Sequence, residues 1–369
     1  MAKTESHIPK LRFSGFSDAW QIIRLGEFCS HFQSGKGITT DDIFEDAQYP
    51  VYGGNGLRGY AKTFTHDGLF TLIGRQGALC GNINLVCGKN YISEHAVAVQ
   101  ANEANDTQWL SYLLYLMDLG RLSESSAQPG LAVNKLVRLK INFPSKKEQT
   151  KIGDFFQKID QVIELQQKAL TTAQDYKKSM LQKMFPQKGE KVPKVRFDGF
   201  SGDWKEDKLS NLGNISVGGD INKDLLSTNA TYPVIANGMK LDGIVGYYTT
   251  YKINAPAITI SGRGDIGFAK ARFENFTPIV RLIVFKPSSG DVHFFENAIN
   301  QIKFSIESTG VPQLTAPQFG SYKVLCTTFS EQRKIGVFFQ KLDQQIAQHE
   351  KKLESYQSLK KAMLQRMFV

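Results

Sequence analysis

Glu148–Asp160 reads EQTKIGDFFQKID, and Glu331–Asp343 reads EQRKIGVFFQKLD, nearly the same string 183 positions later. In a chain of 369 residues that offset is half the length, so the recurrence concerns the whole architecture. Carried on without gaps over residues 148–185 and 331–368, the comparison gives 22 identities in 38 positions, far beyond chance. Working outward, PKLRFSGFSDAW from Pro9 matches PKVRFDGFSGDW from Pro193. Phe13, Gly15, Phe16, Trp20 and Leu25 thereby map onto Phe197, Gly199, Phe200, Trp204 and Leu209, and YPV at Tyr49 returns at Tyr232. Between these anchors the halves diverge: LIGRQGALCGNINLV is only faintly echoed by TISGRGDIGFAKARF. Each half is a fixed frame around a variable middle.

The repeated stretch has the pattern of a long helix. Ser145-Lys-Lys-Glu148 after Pro144 reads as a capping box, with Thr328-Phe-Ser-Glu331 in the same role in the second copy. Pro186 and Gly189 stop the first helix at Phe185. Ile152, Phe156, Ile159, Ile163, Gln166, Leu170, Ala173, Lys177, Met180 and Met184 step alternately by four and three. Ile335, Phe339, Leu342, Ile346, His349, Leu353, Tyr356, Lys360, Met363 and Met367 do the same. That is a heptad seam, the spacing that winds two helices together. At 1.5 Å per residue each helix is about 57 Å long. Two helices with one seam pattern, each following a similar domain, pair most simply with each other and antiparallel, with the polar seam residues Gln166, Lys177, His349 and Lys360 fixing the register.

The middles read as short strands and glycine-rich turns. TYPVIANG, GIVGYYTTY and APAITISG are rich in β-branched and aromatic residues and are closed by Gly or Asn. TQWLSYLLYLMDLG carries a helical stripe through Trp109, Leu113, Leu116 and Met117, stopped at Gly120, and DVHFFENAIN is its counterpart. The composition, 41% apolar and 22% charged, is that of a globular protein. Its N-terminus has no apolar core of a secretory signal, and the longest greasy run, WLSYLLYLM, is too short to span a bilayer. Cys29, Cys80, Cys87 and Cys326 lack zinc-type spacing and read as buried, reduced thiols of a cytoplasmic protein. The formal charge of +10 hints at a polyanionic partner. Residues 29–143 sum to −1, however, and residues 213–327 to +2, so recognition must come from local loops.

No catalytic site and no metal site emerges. GRGDIG at Gly262 fits GxGxxG, but the alternating FAKARF that follows makes it a turn between strands. GLRGYAKT at Gly56 has Ala61 where a phosphate loop needs its second glycine. HExxH, GxSxG and the Asn-Pro-Pro-aromatic methyltransferase motif are all missing. The glycine turns can instead present side chains. Gly74-Arg75-Gln76-Gly77 and Gly262-Arg263-Gly264-Asp265 each put an arginine on a tight turn after a strand. Arginine forks to guanine, Gln and Asn to adenine, and Asp accepts from cytosine. Arg58, Lys62, Asn82 and Asn84 in the first half, and Lys240, Lys270 and Arg272 in the second, complete the candidate DNA-contacting set.

The duplicated EQxKIGxFFQK(I/L)DQ…MLQ(K/R)MF helices, the duplicated leaders and the YPV…NG…GY pieces resemble the specificity subunit of a type I restriction–modification system over essentially the whole chain. The resemblance implies an α+β fold: two α/β target recognition domains in tandem, separated by two long helices that form an antiparallel coiled coil, with an internal pseudo-twofold repeat. The expected division is residues 1–144 (leader 8–28) as first recognition domain and 145–186 as first spacer helix. Residues 187–327 (leader 192–212) are then the second domain, and 328–369 the second helix. It further implies a non-catalytic chain that reads a bipartite, asymmetric site on double-stranded DNA. Two adenine-methyltransferase subunits dock on it, and restriction subunits join the full complex. S-adenosylmethionine, ATP and Mg2+ belong to those partners and no cofactor to this chain. Two other readings stay open at this point: a coiled-coil scaffold without DNA readout, and a self-contained DNA methyltransferase.

Overall fold

The computed structural model describes residues 8–77, 79–123, 130–238, 240–305 and 312–369. The chain divides into two compact units: residues 1–167 with 351–369, and residues 168–350. The second helix therefore returns its C-terminal end to the first unit.

In the first unit, β1 (Gln21–Arg24), α1 (Leu25–Phe28) and β2 (Cys29–Ser34) lead into β3 (Tyr49–Gly53), β4 (Gly56–Ala61), β5 (His66–Asp67) and β6 (Phe70–Gly74). β7 (Ile83–Val86), β8 (Lys89–Ile92), β9 (Ala96–Ala101), α2 (Thr107–Leu116), α3 (Val133–Leu136), β10 (Lys140–Phe143) and α4 (Lys146–Met184) follow. The strands form an antiparallel sheet in the order β2-β9-β6-β7 and a mixed sheet in the order β4-β3-β8-β5, in which β3 and β8 run parallel. Phe70, Leu72, Val86, Ile92, Ala96 and Ala98 fill the space between them. The stripe read from TQWLSYLLYLMDLG is α2, capped by the Asp106 carboxylate on the Trp109 amide. Its end comes earlier than Gly120, because Asp118 turns left-handed at φ +47°. α2 packs its Trp109, Leu110, Leu113 and Leu114 into a core with Trp20, Phe28, Ile152 and Phe156.

The second unit repeats this order. β11 (Lys205–Lys208), α5 (Leu209–Leu212), β12 (Gly213–Val217), β13 (Tyr232–Ile235), β14 (Ile244–Tyr248), β15 (Ala257–Ser261) and β16 (Ala269–Arg272) come first. β17 (Thr277–Pro278), β18 (Leu282–Pro287), α6 (Val292–Ile299), α7 (Ala316–Ser321), β19 (Lys323–Cys326) and α8 (Phe329–Met367) follow. The sheets β12-β18-β15-β16 and β14-β13-β17 match those of the first unit strand for strand, with the single antiparallel bridge Ile253–Phe276 in the place of the β5–β8 pairing. GRGDIG is a turn between β15 and β16, as its sequence context requires.

The two repeated helices are 39 residues each. Ile152, Phe156, Leu170, Ile335, Phe339, Leu342 and Leu353 of the seam are buried, and Ile159, Ile163, Met180, Ile346 and Met363 are half-buried. The direction of pairing is fixed by two ion pairs. Within the first unit Lys360 Nζ meets Asp160 Oδ1 at 2.5 Å; within the second, Lys177 Nζ meets Asp343 Oδ1 at 2.5 Å. Asp160 to Lys177 and Asp343 to Lys360 are equal spacings read in opposite directions, which is one antiparallel register. The ends bury deeply: Phe368 stacks on Trp109 (centroids 5.6 Å apart) in the first unit, and Phe185 lies against Phe294 (5.4 Å) in the second.

The structure corrects the reading of the helix starts and explains the repeated Glu-Gln. Glu148, 1% exposed, does not reach back to close a capping box. Its carboxylate takes a two-pronged bond from Arg12 of the leader, Nε and Nη2 at 2.6 and 2.7 Å. Glu331, 0% exposed, takes the same fork from Arg196 at 2.7 and 2.8 Å. The burial of these carboxylates is tolerable only because each is paired and hydrogen-bonded. The adjacent glutamines tie the helices to the sheet-packed helices: Gln149 Oε1 accepts from the Asp106 amide and Gln332 Oε1 from the Asp291 amide. Leader, spacer helix and domain are thus locked by one dipeptide, once per half.

Candidate nucleic-acid interface

One end of the first unit's two sheets is built from four touching turns. The Arg75 amide donates to His95 O, the Lys36 amide to Ile92 O, and the Glu94 amide to Lys36 O. The Arg75 guanidinium reaches Ser34 Oγ at 3.3 Å, and Gln76 Oε1 lies 3.3 Å from His95 Nδ1. A Cβ on Gly54 would stand 2.8 Å from His95 O and 3.1 Å from Gly74, so only glycine lets the β3–β4 turn meet the β6–β7 turn. Beside this turn the β3–β4 ladder shifts register, with Val51 opposite Gly59 and Tyr52 opposite Leu57. The extra residue is Arg58, a β-bulge that turns an exposed arginine out of the pleat.

The second unit has the same bulge with a different occupant. Val234 faces Gly246 and Ile235 faces Ile244, so Val245 is the extra residue, 49% exposed. Gly59 and Gly246, the residues that follow the bulges, hold φ +144° and +156°. The backbone device is retained and its side chain exchanged, a cation for an apolar group.

Arg75 and Arg263 lie on matching hairpins, one step out of register. Leu131 donates to Arg75 O, whereas its equivalent Leu314 donates to Gly262 O. Gly262 is therefore the counterpart of Arg75, and Arg263 that of Gln76. Asn237 braces this end of the second unit: its Oδ1 accepts from the Gly262 amide at 2.8 Å and its Nδ2 donates to Val280 O at 3.3 Å. Lys270 pairs with Asp242, and Arg272 donates to Thr259 Oγ1 at 3.0 Å and to Asp242 O at 2.9 Å. Burial pulls the Arg272 guanidinium below its ordinary value. Asp265, Lys270 and Arg272 line a common cavity of about 130 Å3 with Asn237, Asp242 and Thr259. Lys240 sits in the one-turn 3-10 segment Lys240–Gly243 beside it.

Of the sequence-selected residues, Arg75, Gln76 and Arg58 come together, as do Asp265, Lys270 and Arg272; Arg263 shares the turn of Asp265 but does not line their cavity, and its Nε is buried. Asn82 holds the β6–β7 turn through its carbonyl, which accepts from the Gly74 amide. Asn84, on β7 opposite Leu72, faces the Gly56 turn with its Nδ2 buried. Lys62 follows the far end of β4 and lies over the Phe44 ring at 5.0 Å, apart from the turn cluster. Sequence reading passed over Lys36, His95, Val245 and Arg281. Arg281 has φ +70°, a strained value for a side-chain-bearing residue, and its carbonyl would stand 2.3 Å from a Cβ on Gly262.

Among the described residues no cluster of three His, Cys, Asp or Glu is placed to hold a metal, and no helix is long and apolar enough to cross a membrane. All four cysteines are free thiols, but only three are partly buried; Cys87, expected inside, is exposed. Burial pushes the Cys29 and Cys326 thiols up to about 12, so both stay protonated.

The model of the type I restriction modification DNA specificity domain matches this chain twice, at residues 17–173 and 201–355. The specificity subunit of the type I restriction enzyme EcoprrI of Escherichia coli is 43% identical over 140 residues, a stretch that spans 37% of this chain and 35% of that protein. A putative type I specificity subunit of Mycoplasma pneumoniae is 26% identical over 327 residues, 85% of this chain and 86% of that one. The crystal structure of a type I restriction–modification S subunit from M. genitalium superposes with a TM-score of 0.79 at 18% identity, over 98% of this chain and 99% of that chain, which shows a shared fold. With its specificity domain present twice and its fold that of such a subunit, this chain belongs to the type I restriction–modification specificity subunits, the non-catalytic component of those systems.

Proposed function

We propose that this chain reads a bipartite, asymmetric sequence on double-stranded DNA and docks two adenine-methyltransferase subunits, through which restriction subunits join. The carrying observation is the pair of equivalent turn clusters with unlike side chains: Arg58, Arg75 and Gln76 in one, Val245, Arg263 and Asp265 in the other. Side chains on turns can reach base edges, while neighbouring lysines and arginines hold phosphates and set orientation. Val245 suits a thymine methyl; Arg58 and Arg75 suit guanine.

The helices serve as spacer. Each runs about 58 Å at 1.5 Å per residue, enough to separate half-sites one helical turn, about 34–36 Å, apart. Duplication within one chain frees the half-sites from having to match, so an asymmetric sequence is read on a repeated frame. The partners carry S-adenosylmethionine, ATP and Mg2+, and the methyltransferase takes the adenine out of the stack in the cytoplasm. Hydroxyl-radical footprinting of the complex reconstituted with its methyltransferase subunits tests this. Two protected blocks with an unread interval support it; one continuous block, or protection without sequence preference, overturns it.

A further inference from the structure

The turn 93–95, between β8 and β9, belongs to the first unit's turn cluster, and its backbone is fixed on two sides. The Arg75 amide donates to His95 O at 2.9 Å, and the Glu94 amide donates to Lys36 O at 3.1 Å. Gln76, exposed, is held beside it by a backbone bridge to Gly130. The His95 ring lies between two side chains: Nε2 is 3.2 Å from Glu94 Oε1, and Nδ1 is 3.3 Å from Gln76 Oε1. The second oxygen of Glu94, Oε2, is buried with no hydrogen-bond partner among the described residues.

Both atoms that face the ring are acceptors, since a carboxylate oxygen and an amide oxygen carry no hydrogen. The ring fills both bonds only as imidazolium, with a hydrogen on each nitrogen. A neutral ring keeps its one hydrogen on the side of the carboxylate, and Nδ1 becomes an acceptor. The amide oxygen then has no donor, whereas the amide nitrogen has an acceptor. The two ends of an amide have nearly the same shape, so Gln76 meets the change by turning half over.

The other charged groups around this turn are cations. The Arg75 guanidinium reaches Ser34 Oγ at 3.3 Å, and Lys36 follows β2. Arg58 runs past the turn, since a Cβ on Gly53 would lie 2.8 Å from Arg58 Cδ and 3.3 Å from Ser93 Oγ. Between about pH 5.5 and about pH 8.5 lysine, arginine and carboxylate side chains keep their charge, and imidazole does not. The second unit has no such group at the matching place. Ala96 pairs with Gly74 and Leu282 with Ser261, so Arg281, a permanent cation, is the counterpart of His95.

We propose that His95 is a positioning residue that sets which base Gln76 takes, an inference that rests on the DNA reading proposed above. Imidazolium holds Gln76 Oε1, and Nε2 offers its hydrogens to an acceptor, guanine O6 or thymine O4. Neutral imidazole holds Nε2, and Oε1 is offered to a donor, the amino group of adenine or cytosine. One position of the first half-site thereby responds to pH, and the second half-site does not.

The test selects bound duplexes from a pool randomised over both half-sites, using the complex reconstituted with its methyltransferase subunits, at about pH 5.5 and about pH 8.5. The position relaxed by Gln76→Ala is the one that Gln76 reads. There the ratio of guanine plus thymine to adenine plus cytosine should fall roughly fivefold as pH rises, the effect of a single hydrogen bond. All other positions should hold. His95→Arg should keep the low-pH preference at both pH values. In Gln76→Ala no position should respond to pH; a surviving response would mean that His95 touches DNA itself, and would overturn the proposal. So would an equal gain of affinity for all sequences at low pH, a preference indifferent to pH, or a Gln76→Ala variant that relaxes no position, each with the DNA reading left standing. If neither half-site shows a preference at either pH, the DNA reading falls and this inference with it.

Discussion

Replacing Arg196 by leucine should unfold the second unit early while leaving the first intact. Glu331 is fully buried and receives both of its strong bonds from Arg196. What remains in Arg196→Leu is a buried carboxylate with only the Thr327 hydroxyl beside it. Removing one partner of a buried pair costs about 3–5 kcal/mol, because the surviving charge loses its compensation. Arg196 also donates to Gly202 O at 2.7 Å and Ser201 O at 3.1 Å, so the leader loosens too. For a unit of this size about 3–5 kcal/mol lowers the melting temperature by roughly 6–20 °C. The tryptophans separate the units: Trp20 and Trp109 lie in the first core and Trp204 in the second. Fluorine NMR of the 5-fluorotryptophan protein, followed against temperature, should show the Trp204 signal lost early and the others unmoved. Arg196→Leu combined with Glu331→Leu should recover most of the loss, since no charge is then buried. A Trp204 transition within about 1 kcal/mol of the parent, or a double variant no better than the single, would refute the clamp.

Lys177 and Asp343 are partly exposed, so their pair contributes at most about 1 kcal/mol; Lys177→Leu with Asp343→Leu should hold or raise the melting temperature, and a loss above about 2 kcal/mol would contradict a register role. Inserting one heptad after Ala173, matched by one between Ile346 and Ala347 in the observed register, should lengthen the unread interval by about 10 Å, roughly three base pairs, in footprints of the reconstituted complex. An unchanged interval would end the spacer idea. Arg75→Ala should relax one base position of one half-site by about 1–3 kcal/mol in competition binding, whereas a uniform loss over all sequences would make Arg75 a phosphate contact.

The repeated frame was legible because its signals are local. Heptad spacing from Ile152 to Met184 and the alternation in FAKARF depend on residues a turn or two apart. The Glu148 reading failed for the opposite reason, since Arg12 reaches it from 136 positions away. The candidate interface was half legible. Arg75 and Arg263 were found through flanking glycines, but the one-step offset between them appears only when Leu131 and Leu314 are seen to bond to Arg75 and Gly262. Arg58 was chosen for its charge; GLRGY and GIVGY align it with Val245, but that both residues stand in a bulge is a property of two paired strands and shows only in the ladder. Arg281 takes its left-handed turn without glycine or asparagine, the usual signal. Lys62 looked close in number and lies at the wrong end of its strand.

The most direct test is to exchange residues 213–327 for the matching segment of a relative with another target and to sequence the methylated sites in a host that supplies the partner subunits. Half of the recognition sequence should change while the other half and the interval between them persist. A change spread over both halves, or none, would mean that the two units are not separate readers set on one rigid ruler.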